Sequence, residues 1–212
     1  RNRLGLAQWL TARAHPLVSR VLVNQMWQRT FGEGLVRTPA DFGLQGEQPT
    51  HPELLDWLAV ELQDRKWDLK AMLRLMVTSQ TFKQSSAYRP KINDPENRLW
   101  ARGPSHRLDA EALRDTLLAL GGQLDLSVGG KTWEYENRKH VFNHTSVDET
   151  EYDIPRRSLY LPIIRNHVYD MFNLFDFPDP NSMRGHRMQT STAQQALFLM
   201  NSPLVRKVAD SL

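Results

Sequence analysis

The chain has 212 residues with 27 basic and 24 acidic side chains, a net charge of +3 spread over interleaved signs. That balance leaves no clustered basic face for a duplex, so nucleic acid is not expected as a partner. No apolar run approaches the roughly 18 residues of a membrane span, and the lack of cysteine excludes disulfides, thiolate catalysis, Cys-type zinc sites and attached c-type haem within this stretch.

Arg1-Asn2-Arg3-Leu4 runs straight into an apolar pattern and Val208 to Leu212 stops inside one, which is expected of a fragment of a longer multidomain chain. Pro16 fits the first turn of a helix that reaches about Phe31 and stops at Gly32. Thr50-His51-Pro52-Glu53 has capping-box spacing, with Thr50 as cap and Glu53 reaching back, and opens a helix through Leu62. Asp68 caps a third, on which Leu69, Met72, Leu73, Met76 and Val77 form one apolar stripe. Asp109 caps a fourth carrying Leu113, Leu117 and Leu120, ended by Gly121-Gly122.

Beyond it the composition changes. Trp133, Tyr135, Val141, Phe142, Leu159, Tyr160 and Leu161 fall in short β-favouring runs punctuated by Gly129-Gly130. Pro162 confines its run to a sheet edge. The helix signal returns from Asn166, Thr192 and Gln195 make a second capping box, and Ser202-Pro203 opens the last helix. The expected fold is mainly α: a multi-helix globular domain with a small antiparallel β-ribbon and α+β character near 130–165. It is read as a single domain over 1–212, helical over 1–122, with the ribbon inserted over about 123–165 and helices again over 166–212.

Candidate chemistry is sparse. On the helix after Pro16, Val23, Met26 and Trp27 cover most of the surface, so Asn24 and Gln28 should be buried amides in need of partners. They serve as structural clamps for the loop 34–46 or, alternatively, as a ligand site. Arg98, Arg102, Arg107 and Arg114 interleave with Asp109, Glu111 and Asp115, and arginine outnumbers lysine 20 to 7. Guanidinium suits planar, bidentate pairing with carboxylate, sulfate or phosphate. These arginines, joined by Arg157 and Arg187, should therefore converge on the three carboxylates, either as a fully paired staple or as the rim of an anion site. His140 and His144 would lie about 13 Å apart on a strand, so a metal would need Glu134 or Glu136 as well, and none is expected. The acidic run Asp148, Glu149, Glu151 and Asp153 lacks the alternation and central glycine of a calcium loop. Phosphate-cradle, nucleophile-elbow and zinc-protease motifs are missing from the sequence.

A set of separate motifs then occurs in a recognisable order. They are Leu6-Ala7-Gln8-Trp9-Leu10, His15-Pro16-Leu17, Val23-Asn24-Gln25-Met26-Trp27-Gln28, Phe31-Gly32-Glu33-Gly34-Leu35-Val36 and Asp41-Phe42-Gly43. Thr50 to Leu58, Arg156-Arg157-Ser158-Leu159-Tyr160 and Gln195-Ala196-Leu197 follow. Over essentially its whole length the chain resembles the planctomycete surface domain family, a bacterial domain of unknown function. The resemblance implies an exported, extracytoplasmic parent protein with a cytochrome c-like haem domain upstream; in this segment no cofactor is expected, because cysteine is absent and the seven histidines are too widely spaced in pattern. It implies no catalytic residues. The family's usual proline two residues before Gln-Ala-Leu is Ala193 in this chain, and its frequent cysteine is missing from Asn181-Ser182-Met183-Arg184.

The function expected is a non-catalytic interaction or ligand-binding module whose partners are other domains of the parent chain. Alternatively, it is an enzyme domain acting on a possibly anionic polysaccharide through carboxylates such as Asp109, Glu111 and Asp115. A glycosidase pair must stand about 5–5.5 or 6.5–9.5 Å apart across a cleft. A docking surface for the haem domain is a third reading, resting on the family context.

Overall fold

The computed structural model describes residues 2–89, 92–130, 152, 154–165 and 167–211. They form two compact units, Arg1–His106 and Arg107–Leu212, each with its own core.

The first unit carries α1 (Arg3–Leu10), α2 (Val18–Phe31), α3 (Pro52–Asp64) and α4 (Leu69–Val77). Asn2 caps α1 by accepting from the Gly5 N–H at 2.9 Å, yet α1 buries no residue. His15 Nδ1 accepts from the backbone N–H groups of Leu17 and Val18, both at 3.3 Å, and leads into α2. Gly32 closes α2 at φ 90°, a conformation that costs glycine little. α2 packs on α3 and α4, burying Val23, Met26, Trp27 and Phe31 against Leu55, Leu58, Leu62, Met72 and Met76. Trp27 and Phe31 stack at 4.1 Å, and Trp100 meets both edge-on at 5.4 Å. The helix is less completely enclosed than its composition implies, since Leu17 is 45% exposed and Arg29 is exposed.

Two local expectations are corrected in this unit. Thr50 does not cap α3: its N–H and hydroxyl both go to the Leu35 carbonyl, at 2.8 and 3.3 Å. His51 takes the cap position and Pro52 the first turn. A long-range bond to the preceding loop has outcompeted the local one. On α4, Asp68 does cap, accepting from the Ala71 N–H at 3.0 Å, but only Met72 and Met76 of the stripe are buried.

The second unit contains α5 (Ala110–Leu120), a 3-10 turn (Ser158–Tyr160), α6 (Asp170–Leu174), α7 (Ala193–Asn201) and α8 (Pro203–Ala209). Its core joins Ala110, Leu161, Val168, Met171, Phe172 and Phe175, with Phe172 and Phe177 stacked at 5.2 Å. The Thr192–Gln195 capping box is formed in full. Ser202 ends α7 and caps α8 at once, its hydroxyl accepting from the Val205 N–H at 3.2 Å.

The described fold is mainly helical. Trp133, Tyr135, Val141 and Phe142, on which most of the expected ribbon rests, lie outside the described residues. Within them, Leu159 and Tyr160 belong to the 3-10 turn, and β pairing is limited to two isolated bridges, Asp125 with Arg156 and Ile164 with His167. Side chains from α5 take the carbonyls of Tyr152, Ile154 and Arg156 and the N–H of Ser158, groups that a ladder would use. The helical return begins at Asp170 rather than Asn166, which itself is not described.

Candidate functional site

The candidate arginines and carboxylates do not gather at one point. Arg98 and Arg102 belong to the first unit and find acceptors there. Arg98 pairs with Glu47 at 3.1 Å, and Arg102 donates to the carbonyls of Asp94 and Pro95 at 2.9 and 2.8 Å. Buried Asp94 in turn accepts from the backbone N–H groups of Arg98 and Leu99, at 2.7 and 2.8 Å. The expected convergence fails for these two because a distant carboxylate takes Arg98 and local backbone carbonyls take Arg102.

In the second unit three arginines are each locked to different partners. Arg114 is 2% exposed on α5. Its guanidinium donates to the carbonyls of Arg156 (2.9 Å), Tyr152 (3.4 Å) and Ile154, and to the Ser158 hydroxyl (3.3 Å). The neighbouring Asp115 lies 3.7 Å from it and accepts from Ser158 N–H and Oγ–H at 2.7 and 2.6 Å. A buried charge of this kind is tolerable only with a full set of hydrogen bonds. Sequence reasoning included Arg114 but placed the inward face of α5 on Leu113, Leu117 and Leu120. The structure packs half-buried Leu113 and Leu117 against the core as expected, but it buries Ala110, Arg114 and Leu118 more deeply, one line at four-residue spacing, and leaves Leu120 57% exposed. That spacing was the available signal.

Arg187 reaches Glu111 with both terminal nitrogens, at 2.7 and 2.8 Å, and lies 3.6 Å from Asp109. Burial opposes the charge on Glu111 more than any one contact favours it, but the Arg187 hydrogen bonds, its own backbone N–H and the Arg187 charge together hold the carboxyl below its ordinary value. The same bonds raise Arg187 further. Asp109 makes no side-chain capping bond.

Arg107 donates to Asp176, to the Thr190 carbonyl and to Gln195 Oε1, the last at 3.1 Å. Asp176, at φ 63°, also accepts from Thr190 N–H and Oγ–H, both at 2.8 Å. Burial again disfavours its charge, yet the Thr190 N–H and Arg107 prevail and keep it ionised. Gln195 completes the network: its Nε2 donates to the Leu174 carbonyl at 2.9 Å while Oε1 accepts from Thr192 N–H at 3.1 Å. Asp176 and Thr190 went unnoticed in the sequence, since nothing local marks them.

Arg157 differs from the rest. Its Nε is buried without a partner, as are those of Arg107 and Arg156, but no hydrogen bond from its terminal nitrogens accompanies it among the described residues; the guanidinium lies 5.5 Å from the Tyr160 ring, and its charge acts on Asp125. Arg156 stands over the same ring at 4.2 Å and donates to the carbonyls of Ser127 and Gly129.

Asn24, fully buried, spans Val36: Nδ2 donates to its carbonyl at 3.0 Å and Oδ1 accepts its N–H at 2.8 Å. Gln28 is half-buried and also has a partner. Nearby lies a shallow, open depression lined by Glu33, Arg37, Glu96, Arg98 and Trp100. Its cations pair with its own acids, Arg37 with Glu96 at 2.9 Å and with Glu33 at 3.6 Å, so it carries no surplus charge for an ion.

Among the described residues no group of His, Asp and Glu could hold a metal, and no helix is long and apolar enough to cross a membrane. His140, His144, Glu134, Glu136 and the acids from Asp148 to Asp153 lie outside those residues. No curated protein and no solved structure matches the chain. Across residues 2–212 it fits the model of PSD1, proteins of unknown function (DUF1553), and the chain belongs to that family.

Proposed function

We propose that the chain is a non-catalytic interaction or ligand-binding module within an exported multidomain protein of planctomycete type. One observation carries this reading: the candidate carboxylates are already committed. Glu111 is claimed by Arg187 and Asp115 by Ser158, Asp109 stands 3.6 Å from Arg187, and Asp176, outside the sequence candidates, is held by Arg107 and Thr190. A glycosidase needs one carboxyl held protonated as an acid, whereas Glu111 and Asp176 are both pushed the other way. The family resemblance supports an extracytoplasmic location and a haem domain upstream, and the lack of cysteine supports a segment without a cofactor of its own. The family model crosses both compact units, which supports treating 1–212 as one domain. Other domains of the parent chain are the partners this reading implies. It is tested by cross-linking the full parent protein and mapping the linked peptides. Links from this segment to upstream domains are expected, and hydrolysis of any polysaccharide by the isolated segment would overturn the non-catalytic assignment.

A second reading, recognition of a carboxylated or sulfated sugar, is favoured by the buried, unpartnered Nε of Arg157. A buried donor without an acceptor is costly unless something supplies one. Sulfated or carboxylated oligosaccharides should then raise the melting temperature of the wild type but not of Arg157→Ala, and neutral ones should raise neither.

A further inference from the structure

The apolar stripe of α4 divides into two faces. Met72 and Met76 are buried, while Leu69, Leu73 and Val77 stay 46%, 42% and 40% exposed. These three recur at every fourth residue, so they form one ridge along the outward side of the helix. Lys70 and Arg74 repeat at the same interval and make a second ridge beside it, with Lys66 in the turn before. All three cations are exposed, and none has an ion-pair partner among the described residues. Asp68, the nearest acid, is engaged as the helix cap.

The composition around this face is one-sided. From Leu69 to Asn93 the chain has five basic residues and no acidic one, where its average frequency would place about three acids. Phe82 and Tyr88 are 41% and 67% exposed in the same stretch, next to the exposed Lys83 and Arg89. A soluble polyanion would use the cations and leave the apolar ridge in water. An interface that offers anionic headgroups above an apolar layer uses both, with the lysine and arginine stems lying along the boundary.

We propose that the outward face of α4 docks on the surface of an anionic lipid bilayer. Leu69, Leu73 and Val77 enter the headgroup boundary, and Lys66, Lys70 and Arg74 meet lipid phosphates. The helix lies on the membrane rather than crossing it. This inference is independent of the partner assignment above and of the Arg157 site.

Vesicle co-sedimentation of the 212-residue chain tests it, with pure phosphatidylcholine against phosphatidylcholine doped with phosphatidylglycerol. Binding to the doped vesicles alone is expected, weakening as salt is raised. Lys70→Gln and Arg74→Gln should each lower the partition about fivefold. Leu73→Ser with Val77→Ser should lower it as well, while leaving retention on immobilised alginate unchanged. All four positions are exposed, and an unaltered melting temperature identifies variants that remain folded. Equal binding to both vesicle types overturns the proposal, as does insensitivity to the serine pair, which would assign the face to a soluble acidic polymer instead.

Discussion

Replacing Asn24 probes the tie between α2 and the following loop. Its amide is the partner of both backbone groups of Val36, a residue itself only 3% exposed. Asn24→Ala strands one donor and one acceptor, at about 1–3 kcal/mol each when buried. Allowing for partial relaxation of the loop, the loss should be about 3 kcal/mol. For a chain of this length that is about 6–12 °C in melting temperature. Urea unfolding followed by tryptophan fluorescence is the suitable assay, because Trp27 and Trp100 sit in the same core. Asn24→Asp sharpens the test. A carboxylate could still accept the Val36 N–H, but its second oxygen would face the Val36 carbonyl unless it carried a proton. Its folded-state pKa should therefore lie above the ordinary carboxylate value of about 3.9. Stability in that variant is then fully present below the ordinary value and lost as pH rises through the folded one. It should resemble the wild type most at acid pH and diverge toward neutrality. An alanine variant within about 0.5 kcal/mol of wild type, or an aspartate variant with no pH dependence, would refute the clamp.

Arg114→Met removes the donors shared by three carbonyls and the Ser158 hydroxyl; a loss of about 3–5 kcal/mol is expected, with faster amide exchange over 154–160. Arg114→Lys should recover only part of it, since an ammonium cannot reproduce the fork. Glu111 and Asp176 have depressed folded-state pKa values, so their stabilisation is present above the ordinary carboxylate range and lost as pH falls through the folded values. The acid limb of the stability curve should become shallower in Arg187→Gln. Gly34→Ala would place a methyl 2.5 Å from the Val36 carbonyl and 2.8 Å from Asn24 Nδ2; a destabilisation of about 1–3 kcal/mol is expected in the same urea assay.

Features encoded within one helical turn were legible in the sequence. Asp68, Gly32 and the Thr192–Gln195 pair end their helices as their spacing implies, because a cap needs only its near neighbours. Asn24 was legible as a polar residue on a helix otherwise covered by Val23, Met26 and Trp27. What depends on distant chain was not. Thr50 carries a correct local signal and is diverted to Leu35, fifteen residues back. The arginines from 98 to 114 are close in sequence, but their acceptors range from Glu47 to Gln195, and charge spacing holds no information about which of those arrives. The α4 stripe has the right period and the wrong width, since a period fixes a direction and not how much of it is covered.

Ser202 has a consequence for how this chain can vary. It is the single residue between α7 and α8, buried, and Pro203 follows it with a fixed φ. Helix positions turn by about 100° per residue, so one inserted or deleted residue at this joint would rotate α8 by more than a quarter turn. Val208, which lies against Gly121 so closely that a methyl there would meet it at 3.1 Å, would then swing out of register. Length changes should thus be forbidden at this corner even where substitutions are mild. In an insertion scan, tolerated sites should fall in the exposed loops and leave a gap at 201–203.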